Sequence, residues 1–186
     1  SPLSFHPIAL IFGLLSFVSY LVEGAVGDWS ALYLFEDKGI VIEEAVMGVM
    51  LFNGTMCIGR LLGNRLGKHL TSKQVVVGGY LLGSIAMGLI VFLPGHASMY
   101  TYLLLGISLA MIVPNLFSAM GEQNVIPMTQ AVATSTMLGY MGILMGPALI
   151  GFIAHGTSLT VAFIVLTILL VVSAGIGKYA YHLMSK

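Results

Sequence analysis

Residues 23–35, EGAVGDWSALYLF, place two carboxylates inside an otherwise apolar run, in a chain with seven acidic residues altogether. A carboxylate in hydrocarbon costs about 2.5 kcal/mol or more unless it meets water, a partner or a proton. Glu23 is therefore a candidate for proton exchange or for hydrogen bonding a polar solute; the alternative is a hydrogen-bonded packing role. Asp28 lies further along, beside Trp29 and Tyr33, where a helix end meeting water and an aromatic belt account for it equally well. Five residues set the two carboxylates roughly 140° apart around a helix, so they are not expected to share a proton. Three more polar groups stand in apolar runs: Asn53, Tyr140 and the amide of Asn115, which follows Pro114. Proline withholds a backbone donor, so Pro114 should break local bonding and leave Asn115 beside the kink as a candidate ligand contact. For Asn53 and Tyr140, an interhelical hydrogen bond and ordinary packing are the alternatives to lining a pathway.

Other chemistries find no support. His6, His69, His96, His155 and His182 show no metal-ligand spacing, and the single Cys57 rules out an internal disulfide. Glu43-Glu44 begin an EExxxR string that ends at Gly48, and GISLA (residues 106–110) has Ala110 where a GxSxG elbow needs glycine. No enzyme, cofactor or metal is expected. The net charge is zero, which offers no electrostatic footprint for nucleic acid.

The elements that must hold these residues are membrane spans. Of 186 residues, 58% are hydrophobic and 8% charged, against about 25% charged in a soluble domain. Six apolar runs, near residues 7–34, 42–63, 74–94, 98–119, 126–154 and 159–181, are separated by EDKGIVIEE, NRLGKHLTSK, PGHA, GEQN and HGTS. The expected fold is an all-α membrane protein, one six-helix transmembrane domain over residues 1–186. Continuous rather than alternating apolar runs exclude a β-barrel. With six spans, Arg60, Arg65, Lys68, Lys73, Lys178 and Lys186 share one side and Lys38 alone stands on the other. That bias predicts both termini in the cytoplasm. Arg60 falls near the end of the second span, where snorkelling to headgroups is expected. Gly59, Gly63 and Gly67, Gly79 and Gly83, and Gly142 and Gly146 recur every four residues, the spacing at which helices approach closely. The chain begins at Ser1 without a charged n-region or cleavage site, and a longer parent protein is expected.

Arg60, Gly63, Asn64, Arg65, Gly67 and Lys68 fall within nine residues of GRLLGNRLGKHLTSK. The string resembles the cytoplasmic loop motif of the major facilitator superfamily, with Asn64 where the acid stands and Arg60 where the first glycine stands. EGAVGDW resembles the start of the C-terminal half in a fucose-permease-like, bacterial inner-membrane branch. LGISLAMIVPNLFSAMGE (105–122) resembles its tenth span, and VATSTMLGYMGILMGPALIGFIAHGTSL (132–159) its eleventh. The resemblance implies the C-terminal six-helix half of a twelve-helix transporter, built from two inverted three-helix repeats. It implies an inner (plasma) membrane location and a small solute bound near the midplane between the halves and moved by alternating access, for which Glu23 is the candidate for proton coupling or for hydrogen bonding the solute. The first and fourth spans would line the cavity, which draws in Glu23 and Pro114-Asn115. Gly142, Gly146 and Pro147 would shape packing and bending. The partners implied are a small solute, the lipid bilayer and the N-terminal six-helix half, with no nucleic acid. A six-helix half that pairs with itself, and a membrane protein that does not transport, remain open beside it.

Overall fold

The computed structural model describes residues 2–186, the side chain of Leu66 excepted. Seven helices follow in order: α1 (Pro7–Glu36), α2 (Ile42–Leu66), α3 (Ser72–Phe92), α4 (Gly95–Leu109), α5 (Ile112–Glu122), α6 (Met128–Gly156) and α7 (Leu159–Met184). Among the described residues there is no strand, and six stretches are long and apolar enough to cross a membrane. The fourth stretch, Gly95–Glu122, takes in both α4 and α5.

Polar residues at the breaks start the helices. The Nδ1 of His6 accepts from the Ile8 amide at 3.2 Å, and Pro7 occupies the first turn, where a missing N–H costs nothing. Thr71 and Gln74 form a reciprocal capping box at 3.1 and 3.0 Å, and the Ser158 hydroxyl accepts from the Val161 amide. Gly95, at φ +53°, turns the chain directly from Pro94 into α4. The helix therefore starts within the PGHA string that the sequence marks as a turn.

α1 is mostly buried, packed along α6 on one flank, against α2 on the other and against α7 behind. Gly142 and Gly146 allow the α1–α6 approach, because a methyl at either would meet the backbone carbonyls of Phe17 and Leu21. The indole of Trp29 donates to the Pro147 carbonyl at 2.8 Å, so this side chain also clasps α6. α3 packs on α7 and α4, and α2 packs on α4. Phe12, Leu15, Phe52, Tyr80, Tyr102 and Phe163 fill the core, where the Tyr80 hydroxyl donates to the Leu15 carbonyl at 2.6 Å.

Two outward surfaces differ in chemistry. α3 and α7 show Leu81, Leu82, Ile85, Ile164, Ile168, Val171 and Val172. α2 and α6 show Met47, Met50, Asn53, Cys57, Met137, Tyr140 and Met141, with α1 set between them.

The fourth span is interrupted at Ala110 and Met111. Pro114 has no N–H to return to the carbonyl of Ala110 four residues earlier, which ends α4 and restarts the chain as α5. Gly59 and Gly63 of α2 and Gly79 and Gly83 of α3 close over residues 107–112 from two sides. The four-residue glycine spacing thus serves this interruption as well as the α1–α6 contact.

Candidate functional site

The site begins with Glu23 in the middle of α1, one turn past Tyr20 on the strip between α2 and α6. A carboxylate Oε of Glu23 stands 3.7 Å from a guanidinium Nη of Arg60. The separation of the two backbones along the chain hides this pairing, and helix geometry makes it. Side chains on a helix lean toward its own N-terminus. α2 runs antiparallel to α1, so Arg60 leans back into the span, away from the nearer end of α2. Its guanidinium is turned to Glu23 rather than to the headgroups, which corrects the snorkelling expectation. Both ends of the pair remain open, with Arg60 42% and Glu23 24% exposed. At 3.7 Å the contact is an ion pair without a direct hydrogen bond. Leaving either charge alone in hydrocarbon would cost a few kcal/mol, about 2.5–3.5 on insertion scales, so the pairing explains how both are tolerated.

Arg60 has a second partner. Its Nε donates to the carbonyl of Ala110 at 3.3 Å, the acceptor that Pro114 leaves without an intrahelical donor. One guanidinium therefore joins the carboxylate of the first span to the break in the fourth.

Tyr20 extends the site toward α6. Its ring lies over Gly139, where a Cβ would come within 2.7 Å of Cδ2. Tyr140 is 68% exposed on the same flank. Asn53 is exposed on α2, seven residues or about 10.5 Å from Arg60 toward the N-terminal end of that helix and on nearly the same face. Asp28 is exposed five residues beyond Glu23 and makes no contact with the pair.

Asn115 belongs elsewhere. Its side-chain amide donates to the Met111 carbonyl at 2.8 Å, and its own carbonyl accepts from the Ser72 hydroxyl at 3.2 Å. Ser72 in turn lies 2.6 Å from the hydroxyl of Tyr181. Asn115 and Pro114 line a cavity of about 540 Å³ between α2, α3 and the broken span, with Gly59, Gly63, Gly79 and Ser108. Of the loop-motif residues, Gly63, Asn64 and Gly67 face that cavity, while Arg65 and Lys68 are exposed at its end. Pro147 lies inside α6 as the acceptor for Trp29.

The sequence reasoning missed the partnership of Arg60 and the presence of Tyr20. The available signal was that Arg60, like Glu23, is a charge within an apolar run, although it lies in the last turn of its span. No cluster of His, Cys, Asp and Glu able to hold a metal occurs among the described residues. What the site offers is a separable carboxylate–guanidinium pair flanked by phenol and amide groups.

Comparison with known proteins supplies the context. No family model matches the chain. It is 41% identical over 172 residues, 91% of its length, to an uncharacterized MFS-type transporter of Yersinia pestis. It is 31% identical over 151 residues (81% of the chain) to the membrane protein MosC of Rhizobium meliloti. It is 28% identical over 157 residues (82%) to an uncharacterized transporter of Sinorhizobium fredii. These matches take in 44%, 37% and 41% of the relatives, so the chain spans less than half the length of each.

Proposed function

We propose, for a chain homologous over nine tenths of its length to an MFS-type transporter, that it is one six-helix half of a secondary transporter. The whole protein moves a small solute across the membrane by alternating access, and this half supplies Glu23 and Arg60 to the pathway. The observation that carries the reading is that ion pair, open on the flank where α1 lies between α2 and α6. A charged pair facing lipid would be costly, whereas one facing a watered cleft is stable and can exchange partners. The second six-helix half is the partner that would close the cleft over it. Asn53, Tyr20 and Tyr140 extend the polar surface available to a solute, and Asp28 stands toward the mouth.

In this reading Glu23 exchanges its guanidinium partner for a proton or for a hydroxyl of the solute during the cycle. Sugar-like solutes are the first class to test, because hydroxyl groups can hydrogen bond to both a carboxylate and a guanidinium. The six-to-one asymmetry of basic residues supports cytoplasmic termini and an inner-membrane location.

The test is uptake of a panel of labelled sugars and organic acids into vesicles carrying the full-length protein. Glu23→Gln should remove uptake of the transported member and leave the amount of inserted protein unchanged. Lost expression with no transport-specific defect would make Glu23 a packing residue and sink the proposal.

A further inference from the structure

The arginine that pairs with Glu23 also bonds the backbone at the break in the fourth span, and this second contact has no role in holding a charge. We propose that Arg60 is a positioning residue that couples the charge on Glu23 to the bending of the fourth span at Ala110–Met111. The inference rests on the reading of Glu23 as a pathway residue and adds the element that responds to it.

Ala110 is the carbonyl that Pro114 cannot serve, and in a span such a group needs a donor from elsewhere. Arg60 Nε supplies it at 3.3 Å while the same guanidinium faces Glu23 at 3.7 Å. A guanidinium presents donors in a fixed planar fork, so one orientation satisfies both partners. A lysine has a single nitrogen and would have to serve the carboxylate and the carbonyl from one point.

When Glu23 takes up a proton from water in the cleft, the carboxylate becomes neutral and the ion pair is lost. The guanidinium then keeps its charge without a counter-ion and moves toward water, leaving the Ala110 carbonyl without its donor. Asn115 makes two further bonds there, from its backbone amide at 3.2 Å and its side-chain amide at 2.8 Å, both to the Met111 carbonyl. Those bonds hold the start of α5 and do not tie it to α4. The break therefore becomes a freer hinge when Glu23 is neutral and a stiffer one when it is ionised.

The groups that act on Glu23 are few. Arg60 faces it from α2, Tyr20 lies one turn back on its own helix with its ring on Gly139, and Tyr140 follows Gly139 in α6. Among the described residues, Arg60 is the one side chain that forms an ion pair with Glu23. The pH response of the hinge should accordingly follow this one carboxylate.

Backbone hydrogen exchange of residues 107–118 in the purified full-length protein tests the coupling without a substrate. After correction for intrinsic rates, exchange should accelerate about tenfold on acidification, the loss of one charge-assisted bond. Glu23→Gln should give the fast rate at every pH. Arg60→Lys should also be fast. Pro114→Ala restores an N–H for the Ala110 carbonyl, so Arg60→Lys with Pro114→Ala should return to slow exchange. A Glu23→Gln protein that keeps the slow rate and the wild-type pH response would overturn the coupling. So would an Arg60→Lys defect that Pro114→Ala leaves untouched. Uptake is measured separately, so a failed hinge leaves the transport reading standing, and a failed transport reading shows as Glu23→Gln vesicles with normal uptake.

Discussion

The α2–α6 flank and the α3–α7 face are both exposed helical surfaces, yet they are built for different surroundings. The first carries Asn53, Arg60 and Tyr140 among methionines and branched apolar side chains such as Ile58, Leu61 and Leu144, with Glu23 recessed beside Arg60. The second carries only leucine, isoleucine and valine across the middle of its helices. Lipid tails accept the second surface as it stands, and they would penalise the first at several positions. The difference teaches that exposure alone does not identify the lipid boundary. Polar content separates a lipid face from a face that meets water or another half.

An acid on each surface of the full-length protein is the most demanding comparison. Ile168→Asp should cost about 2.5–3.5 kcal/mol of insertion or folding, seen as loss of folded protein in detergent. Asn53→Asp should cost under about 1 kcal/mol if that exposed side chain meets a watered cleft as proposed, with Arg60 two turns away. Equal losses at the two sites would erase the distinction between the surfaces.

A smaller effect is expected where a polar group is removed from the flank. Tyr140→Phe should change thermal stability by no more than about 0.5 kcal/mol, since the hydroxyl is exposed. Uptake by the same variant should show a several-fold higher KM. A changed melting temperature with unchanged uptake would assign Tyr140 to packing against the other half.

A comparably small change in stability, with no change in uptake, is expected at the ion pair of His96 with Glu44. His96 Nε2 and a Glu44 carboxylate oxygen meet at 2.7 Å, joining the start of α4 to the first turn of α2, but both side chains are at least half exposed. An exposed pair contributes about 0.2–1 kcal/mol, so His96→Ala should barely move the melting temperature. The neighbouring Lys38 is a firmer clasp, donating to the carbonyls of Val91 and Leu93 at 2.7 Å each. Burial holds its amine below the usual lysine range, against the pull of Asp37.

The spans and their breaks are legible in the sequence because hydropathy and punctuation act locally. Glu23 stands out for the same reason, as a charge where charges are costly. The interruption at Pro114 is legible because a proline's missing donor is a property of one residue. What is not legible is which partner each polar group takes. Arg60 counts as an end-of-span residue along the chain, and only the antiparallel packing of α1 and α2 with the lean of helical side chains turns it to Glu23. Asn115 shows the same limit: its side-chain amide donates to the Met111 carbonyl at the break while the residue lines the cavity, a local partner the sequence does not name.

Cys57, the only cysteine of this chain, is exposed on α2 one turn outward of Arg60. The decisive measurement is its modification by a charged, membrane-impermeant thiol reagent in the full-length protein, with other cysteines removed. Ile168→Cys on the α3–α7 face, in a background where Cys57 is serine, serves as the reference. A watered pathway along α2 predicts that Cys57 reacts and that the cysteine at position 168 does not. If Cys57 resists the charged reagent yet reacts with a lipophilic one, α2 faces lipid, and Glu23 and Arg60 do not line a transport pathway.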